Sequence, residues 1–293
     1  MLEITGCGTA LITPFGPDFA VDYDAFRILV RRQIESGIHF LVPLGTTGET
    51  PCLEDDEKVR LLDITNEEAQ GRLPVIAGAG SNYTKHVISN IRLLDKHGAD
   101  AFLVVVPYYN KPTQGGIYLH FKAIAESTDK PVILYNVPGR TGVNMTAETT
   151  LKLAEIENII AVKEASANSS QISEIIRNAP AGFSVLSGND DETLSIMSGG
   201  GKGLISVASN VAPALMARLV SLLLEKRTTE AEALNVRLAP LYTGCFVESN
   251  PIPVKAALSK MGYIENILRL PLTPSNRSTL DLMGKLIAEL ELS

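Results

Sequence analysis

Lys163 follows the apolar run Ile159-Ile160-Ala161-Val162, a place where lysine is rarely found unless something holds it there. An amine kept from water loses its proton more easily, and the neutral form attacks carbonyl carbon. Lowering it from about 10.4 to near 7 costs about 4 kcal/mol, which the surrounding fold must absorb. If the run is a strand, alternation puts Lys163 on one face with Ile159 and Ala161, and Val162 and Glu164 on the other. The residues alone leave two readings: a solvated lysine at the strand mouth, paired with Glu164, or an amine nucleophile.

Other groups interrupt apolar runs in the same way. Tyr135 closes the run Val132-Ile133-Leu134 and is either a proton shuttle or a core aromatic with a satisfied hydroxyl. Gly45-Thr46-Thr47-Gly48-Glu49 offers two hydroxyls and backbone N–H groups able to hold a carboxylate, or is a plain tight turn. Arg140, after Pro138-Gly139, carries a fork that fits a carboxylate, or is a surface arginine. Tyr108 and Tyr109 form an aromatic pair suited to an interface as well as to catalysis. Gly199-Gly200-Gly201-Lys202-Gly203 lacks the ending of a phosphate loop and reads as a turn.

These groups need elements to position them. Eight apolar, β-rich runs (8–13, 40–45, 74–80, 101–107, 131–137, 159–166, 183–188 and 203–207) alternate with helical spacing, as over 23–36, 57–70 and 147–154. Near-continuous apolar strands alternating with helices predict a parallel sheet buried on both faces. Eight units predict an α/β fold of the (β/α)8 barrel kind, with an additional C-terminal helical segment. An open doubly wound sheet would want a Gly-rich loop after the first strand, where Leu11-Ile12-Thr13-Pro14-Phe15 stands instead. The expected division is a barrel over 1–225 and a helical extension over 226–293, with helices near 214–225 and 279–290. Asn250-Pro251-Ile252-Pro253 cannot be a helix interior and is expected to link helices. Barrel active sites lie at the C-terminal ends of the strands, where Lys163, Tyr135, Thr46, Arg140 and Gly188 fall.

Composition narrows the function. The net charge is -7, from 26 basic and 33 acidic residues, so a nucleic-acid or anionic-membrane surface is not expected. Cys7, Cys52 and Cys245 lie far apart and the four histidines show no paired spacing, so neither a disulfide framework nor a metal site is expected. No run is long enough to span a bilayer, the N-terminus does not read as a basic apolar leader, and a cytoplasmic location is expected.

Together these residues resemble the dihydrodipicolinate synthase (4-hydroxy-tetrahydrodipicolinate synthase) family of pyruvate-dependent class I lyases. The resemblance runs from Gly8-Thr9-Ala10 and Thr13-Pro14-Phe15 to Asn250-Pro251-Ile252-Pro253-Val254-Lys255 and Leu270-Pro271-Leu272. Its most specific parts are Gly45-Thr46-Thr47-Gly48-Glu49, Tyr135-Asn136-Val137-Pro138-Gly139-Arg140-Thr141-Gly142 and Lys163-Glu164-Ala165. The resemblance implies that Lys163 is the Schiff-base lysine, Tyr135 the general acid and base, and Thr46 the hydroxyl in its relay. It implies that Thr47 binds the pyruvate carboxylate and Arg140 the carboxylate of the second substrate. Gly188 and Ile205 would contact the pyruvate adduct, and Tyr109 would complete the relay of a neighbouring copy. Pyruvate and aspartate semialdehyde are the implied substrates, no cofactor or metal is required, and a homo-oligomer, a tetramer of two tight dimers, is expected.

The rivals are a sibling sugar-acid lyase such as N-acetylneuraminate lyase, a phosphate-binding barrel isomerase and a non-catalytic binder. Arg140 argues against the first, the acids after Gly188 against the second, and Lys163 with Tyr135 against the third. Lysine-inhibited members of the family hold the inhibitor with a glutamate beside an asparagine and a tyrosine. Here Asn82 and Tyr108 match, but His86 stands at the glutamate position and Lys58 nearby, so weak inhibition or none is expected.

Overall fold

The computed structural model describes residues 2–292. Eight parallel strands appear in the expected places: β1 (Gly6–Ala10), β2 (Phe40–Val42), β3 (Ile76–Gly78), β4 (Ala101–Val105), β5 (Val132–Asn136), β6 (Ile159–Glu164), β7 (Ser184–Ser187) and β8 (Gly203–Ser206). Strand order is β2-β1-β8-β7-β6-β5-β4-β3, and a parallel bridge from Leu41 to Val75 joins the two ends. The sheet is a (β/α)8 barrel.

The helices between the strands are α1 (Tyr23–Glu35), α2 (Asp55–Ala69), α3 (Thr84–Asp95), α4 (Gln114–Ala125), the single turn α5 (Pro138–Thr141), α6 (Ala147–Ala154), α7 (Ser169–Asn178) and α8 (Thr193–Ser198). After β8 come α9 (Pro213–Leu224), α10 (Thr228–Gly244), α11 (Ile252–Lys260) and α12 (Arg277–Glu289). Polar caps mark many helix starts: the side chains of Asp22, Thr113, Thr146, Asn168 and Asn276 each accept a backbone N–H of the first turn. Among the described residues no helix is long and apolar enough to cross a membrane.

Two apolar layers form. One lies between strands and helices; the other fills the barrel with Phe40, Val42, Ile76, Leu103, Ile133, Ala161, Leu186 and Ile205. Two expectations are corrected. Pairing between β5 and β6 skips a residue, from Val132↔Ile159 to Ile133↔Ala161. This bulge turns Ile159 into the outer layer, away from Ala161, so strict alternation fails at that end of the strand. The 250–253 stretch is partly helical: Pro251 caps α11, and Ile252-Pro253 form its first turn, where a missing N–H does no harm.

Where β8 meets β1 the backbones approach closely. A Cβ on Gly203 would come within 2.1 Å of the Gly6 carbonyl oxygen, which belongs to the sheet and cannot step aside. Gly203→Ala is therefore expected to destabilise the chain by roughly 1–3 kcal/mol or more. A denaturant midpoint equal to that of the unaltered protein would show that the seam can open.

Candidate active site

The inner layer is polar at one end, where Lys163 sits on β6 directly across from Tyr135 on β5. Both side chains are buried, Lys163 at 4% exposure, and its Nζ lies 4.4 Å from the centre of the Tyr135 ring. Glu164 does not pair with it: the carboxylate points the other way and accepts hydrogen bonds from Asn136 (2.5 Å), Ser166 (2.6 Å) and Gln171 (3.3 Å). Burial lowers the Lys163 pKa to about 8; Asp190 pulls it up and Arg140 pushes it down further.

A second lysine, Lys255 on α11, is 0% exposed and is also lowered by burial to about 8. Titration therefore does not tell the two apart, but their partners do. Lys255 Nζ is 2.5 Å from Glu49 Oε1 and donates to the Ile267 carbonyl at 2.9 Å. Lys163 Nζ makes no hydrogen bond or ion pair among the described residues and faces a cavity. An unengaged, desolvated amine is the species that adds to a carbonyl.

That cavity is about 40 Å³ and is lined by Lys163, Thr46, Thr47, Gly188, Arg140 and Asn250, among others. It shares Gly45, Thr46, Leu103, Tyr135, Val137 and Arg140 with a larger open cavity of about 580 Å³. Thr46 and Thr47 lie on a short turn after β2, and Thr46 lines both cavities together with Tyr135. Burial raises the Tyr135 pKa, so its phenol stays protonated. Gly188 closes one wall: a Cβ there would meet Ala165 Cβ at 2.7 Å and the Glu164 carbonyl oxygen at 2.9 Å. Arg140, carried by α5 at the end of β5, leans on the Asn250 carbonyl at 3.4 Å.

Two expected site residues stand apart. Ile205 is buried in the inner layer and lines neither cavity. Tyr109 is 88% exposed on the loop after β4 and also lines neither, whereas Tyr108 lines the large one. Four residues that contribute here have no role assigned from the sequence. Asp190 is held by Ser206 Oγ (2.5 Å) and the Val207 and Ala208 N–H groups, with its charge acting on Lys163. Asn250 Nδ2 donates to Thr47 Oγ1 at 2.9 Å. Glu49 and Lys255 form the buried pair just described. Lys255 alone carries a signal in sequence: a charge among Val254, Ala256, Ala257 and Leu258, the same anomaly as Lys163.

The sequence pattern of the dihydrodipicolinate synthetase family matches residues 3–290. The chain belongs to this family. It is 49% identical over 291 residues to the 4-hydroxy-tetrahydrodipicolinate synthase of Phocaeicola vulgatus, covering 99% of this chain and 98% of that one. It is 50% identical over 289 residues to the Koribacter versatilis enzyme of the same name, covering 98% and 96%. The crystal structure of dihydrodipicolinate synthase from Thermotoga maritima superposes with a TM-score of 0.96 at 44% identity, covering 98% of this chain and 99% of that one. The Acinetobacter baumannii enzyme, solved with pyruvate, gives 0.97 at 40% identity, covering 99% and 100%.

Within this family fold, the burial of Lys163 has a cost in stability. Below pH of about 8 the amine is protonated in both folded and unfolded chains, and the folded state bears the full desolvation penalty. Between about 8 and the unperturbed 10.5 the penalty fades, and above both values it is gone. At pH 7 the shift corresponds to roughly 3 kcal/mol. Lys163→Met is therefore expected to raise the thermal midpoint by several degrees near neutrality and much less above pH 10. A midpoint that falls at pH 7 would contradict this account.

Proposed function

We propose that this chain is a 4-hydroxy-tetrahydrodipicolinate synthase that joins pyruvate to aspartate semialdehyde through an imine on Lys163. The observation that carries the mechanism is the Lys163 amine, without a hydrogen bond or ion pair among the described residues, on the wall of a cavity that Tyr135 and Thr46 also line. Lys163 adds to the pyruvate ketone, and the carbinolamine loses water with a proton supplied by Tyr135. The protonated imine withdraws electrons from the methyl group, which gives up a proton to leave an enamine. The enamine carbon forms a bond to the aldehyde carbon of the semialdehyde, whose oxygen takes up a proton. The semialdehyde amine then attacks the imine carbon, closes the ring and expels the Lys163 amine. The iminium nitrogen takes up the electrons released when the methyl group loses its proton and returns them when the new carbon–carbon bond forms, so no cofactor is called for.

Thr47 is suited to the pyruvate carboxylate: its oxygen accepts from Asn250, which leaves its proton to point into the cavity. Arg140, shared by both cavities, is suited to the carboxylate of the second substrate, and this favours the synthase over a sugar-acid lyase. We place Tyr109 in the site of a second copy, within a tetramer of tight dimers. Its near-complete exposure beside Tyr108 and the exposed Tyr83 supports this. Three unpaired cysteines agree with a cytoplasmic enzyme.

Coupled assays with pyruvate and aspartate semialdehyde test the reading. Arg140→Ala is expected to raise KM for the semialdehyde roughly 10- to 150-fold, the loss of one charge-assisted pairing, with a smaller change for pyruvate. Equal changes for both substrates would remove Arg140 from second-substrate recognition. The large cavity also holds His86, Lys58 and Tyr108. Lys58 pairs with Asp55 at 2.9 Å, so its repulsion is offset and the expectation of weak lysine inhibition rests on His86. Half-inhibition by lysine at sub-millimolar concentration would overturn it.

A further inference from the structure

Thr46 and Thr47 are useful only if their hydroxyls stay in place, and they sit on a turn, not a strand. The barrel holds the turn twice: Thr13 Oγ1 donates to the Gly48 carbonyl at 2.7 Å, and Thr50 Oγ1 to that of Gly45 at 2.9 Å. The turn ends on Glu49, whose φ of 53° is left-handed, a conformation a glutamate keeps only when its surroundings demand it.

Those surroundings come from the other end of the chain. Glu49 Oε1 meets Lys255 Nζ at 2.5 Å, Glu49 Oε2 accepts the Arg269 N–H at 3.2 Å, and Lys255 also donates to the Ile267 carbonyl. Lys255 Nζ and the Arg269 guanidinium both lie over the Phe15 ring, at 4.1 and 4.5 Å. Glu49 and Lys255 have no side-chain exposure. From the same segment Asn250 bonds Thr47. A buried ion pair is seldom the most stable filling for its space, because desolvation offsets the attraction, and apolar residues of like size often do as well. What such a pair supplies is geometry: charge-assisted contacts that only one arrangement of the turn satisfies.

We propose that Glu49 and Lys255 are positioning residues of the active site. Their ion pair, anchored by Ile267 and Arg269, sets the turn that aims Thr46 at Tyr135 and Thr47 at the cavity. Glu49 and Lys255, which line neither cavity, thereby act in catalysis without touching substrate. This rests on the reading of Lys163 and Tyr135 given above, but not on the identity of the second substrate.

The test uses the full chain and the half-reaction alone: exchange of pyruvate methyl protons for solvent deuterium, followed by NMR. The double variant E49Q/K255M removes both charges and leaves no lone buried ion. It is expected to slow exchange at least about 10-fold, since ångström-scale misplacement of a catalytic group costs up to about 100-fold. The extent of borohydride trapping of pyruvate at saturation should stay at that of the unaltered protein, because Lys163 is intact. In a Thr46→Val/Thr47→Val background the same double change should cost less than about 3-fold, as expected when both act through one turn. Exchange at the normal rate, or a loss fully additive with the two threonine changes, would overturn the proposal. Should the double variant not fold, Glu49→Gln, which keeps the shape, is scored by the same additivity. Exchange is independent of the semialdehyde, so a failed condensation assay with normal exchange would count against the second substrate and not against this pair.

Discussion

A lysine ammonium taken out of water with no hydrogen-bonded partner is unstable, and the site is built around that instability. At roughly 3 kcal/mol the penalty is a sizeable part of the 5–15 kcal/mol that holds a typical domain folded. It is tolerable because Lys163 is one position in a closed ring of eight strands packed between two large apolar clusters. The same enclosure keeps Tyr135 protonated beside it. Asp190, locked by Ser206 and two backbone N–H groups, keeps some negative potential at the amine. It limits the fall of the Lys163 pKa, and the same negative potential would stabilise a positive iminium formed there.

Two buried lysines with equally lowered pKa values show that desolvation alone does not make a nucleophile. Lys255 is held by Glu49 and the Ile267 carbonyl and lines neither cavity described above; Lys163 lines the smaller one and makes no hydrogen bond or ion pair among the described residues. Engagement, not titration, sets the two amines apart. The partner of the engaged lysine, Glu49, ends the turn that carries Thr46 and Thr47.

Much of this was legible in the chain. The eight strands read out because parallel strands buried on both faces are short apolar runs punctuated by turns. Lys163 and Tyr135 stood out as polar groups interrupting apolar runs, but the residues alone left a solvated lysine and a core aromatic open, and only the resemblance to a known family pointed to roles for them. The bulge at Ile159 was not legible: alternation carries no mark of the residue at which pairing slips. Nor was the Glu49–Lys255 pair, although Lys255 carries the same anomaly as Lys163. The pairing spans 206 residues, and no local pattern states which distant group meets which. The roles of Asp190 and Asn250 were hidden for the same reason, as both act through partners brought from other elements.

The account stands on one amine being free and the other bound. Incubation with pyruvate, reduction with borohydride, digestion and peptide mass mapping reads this directly. The expected result is a single reduced pyruvate adduct per chain on the peptide bearing Lys163 and none on the peptide bearing Lys255. Adducts spread over both lysines, or an unmodified Lys163, would contradict it.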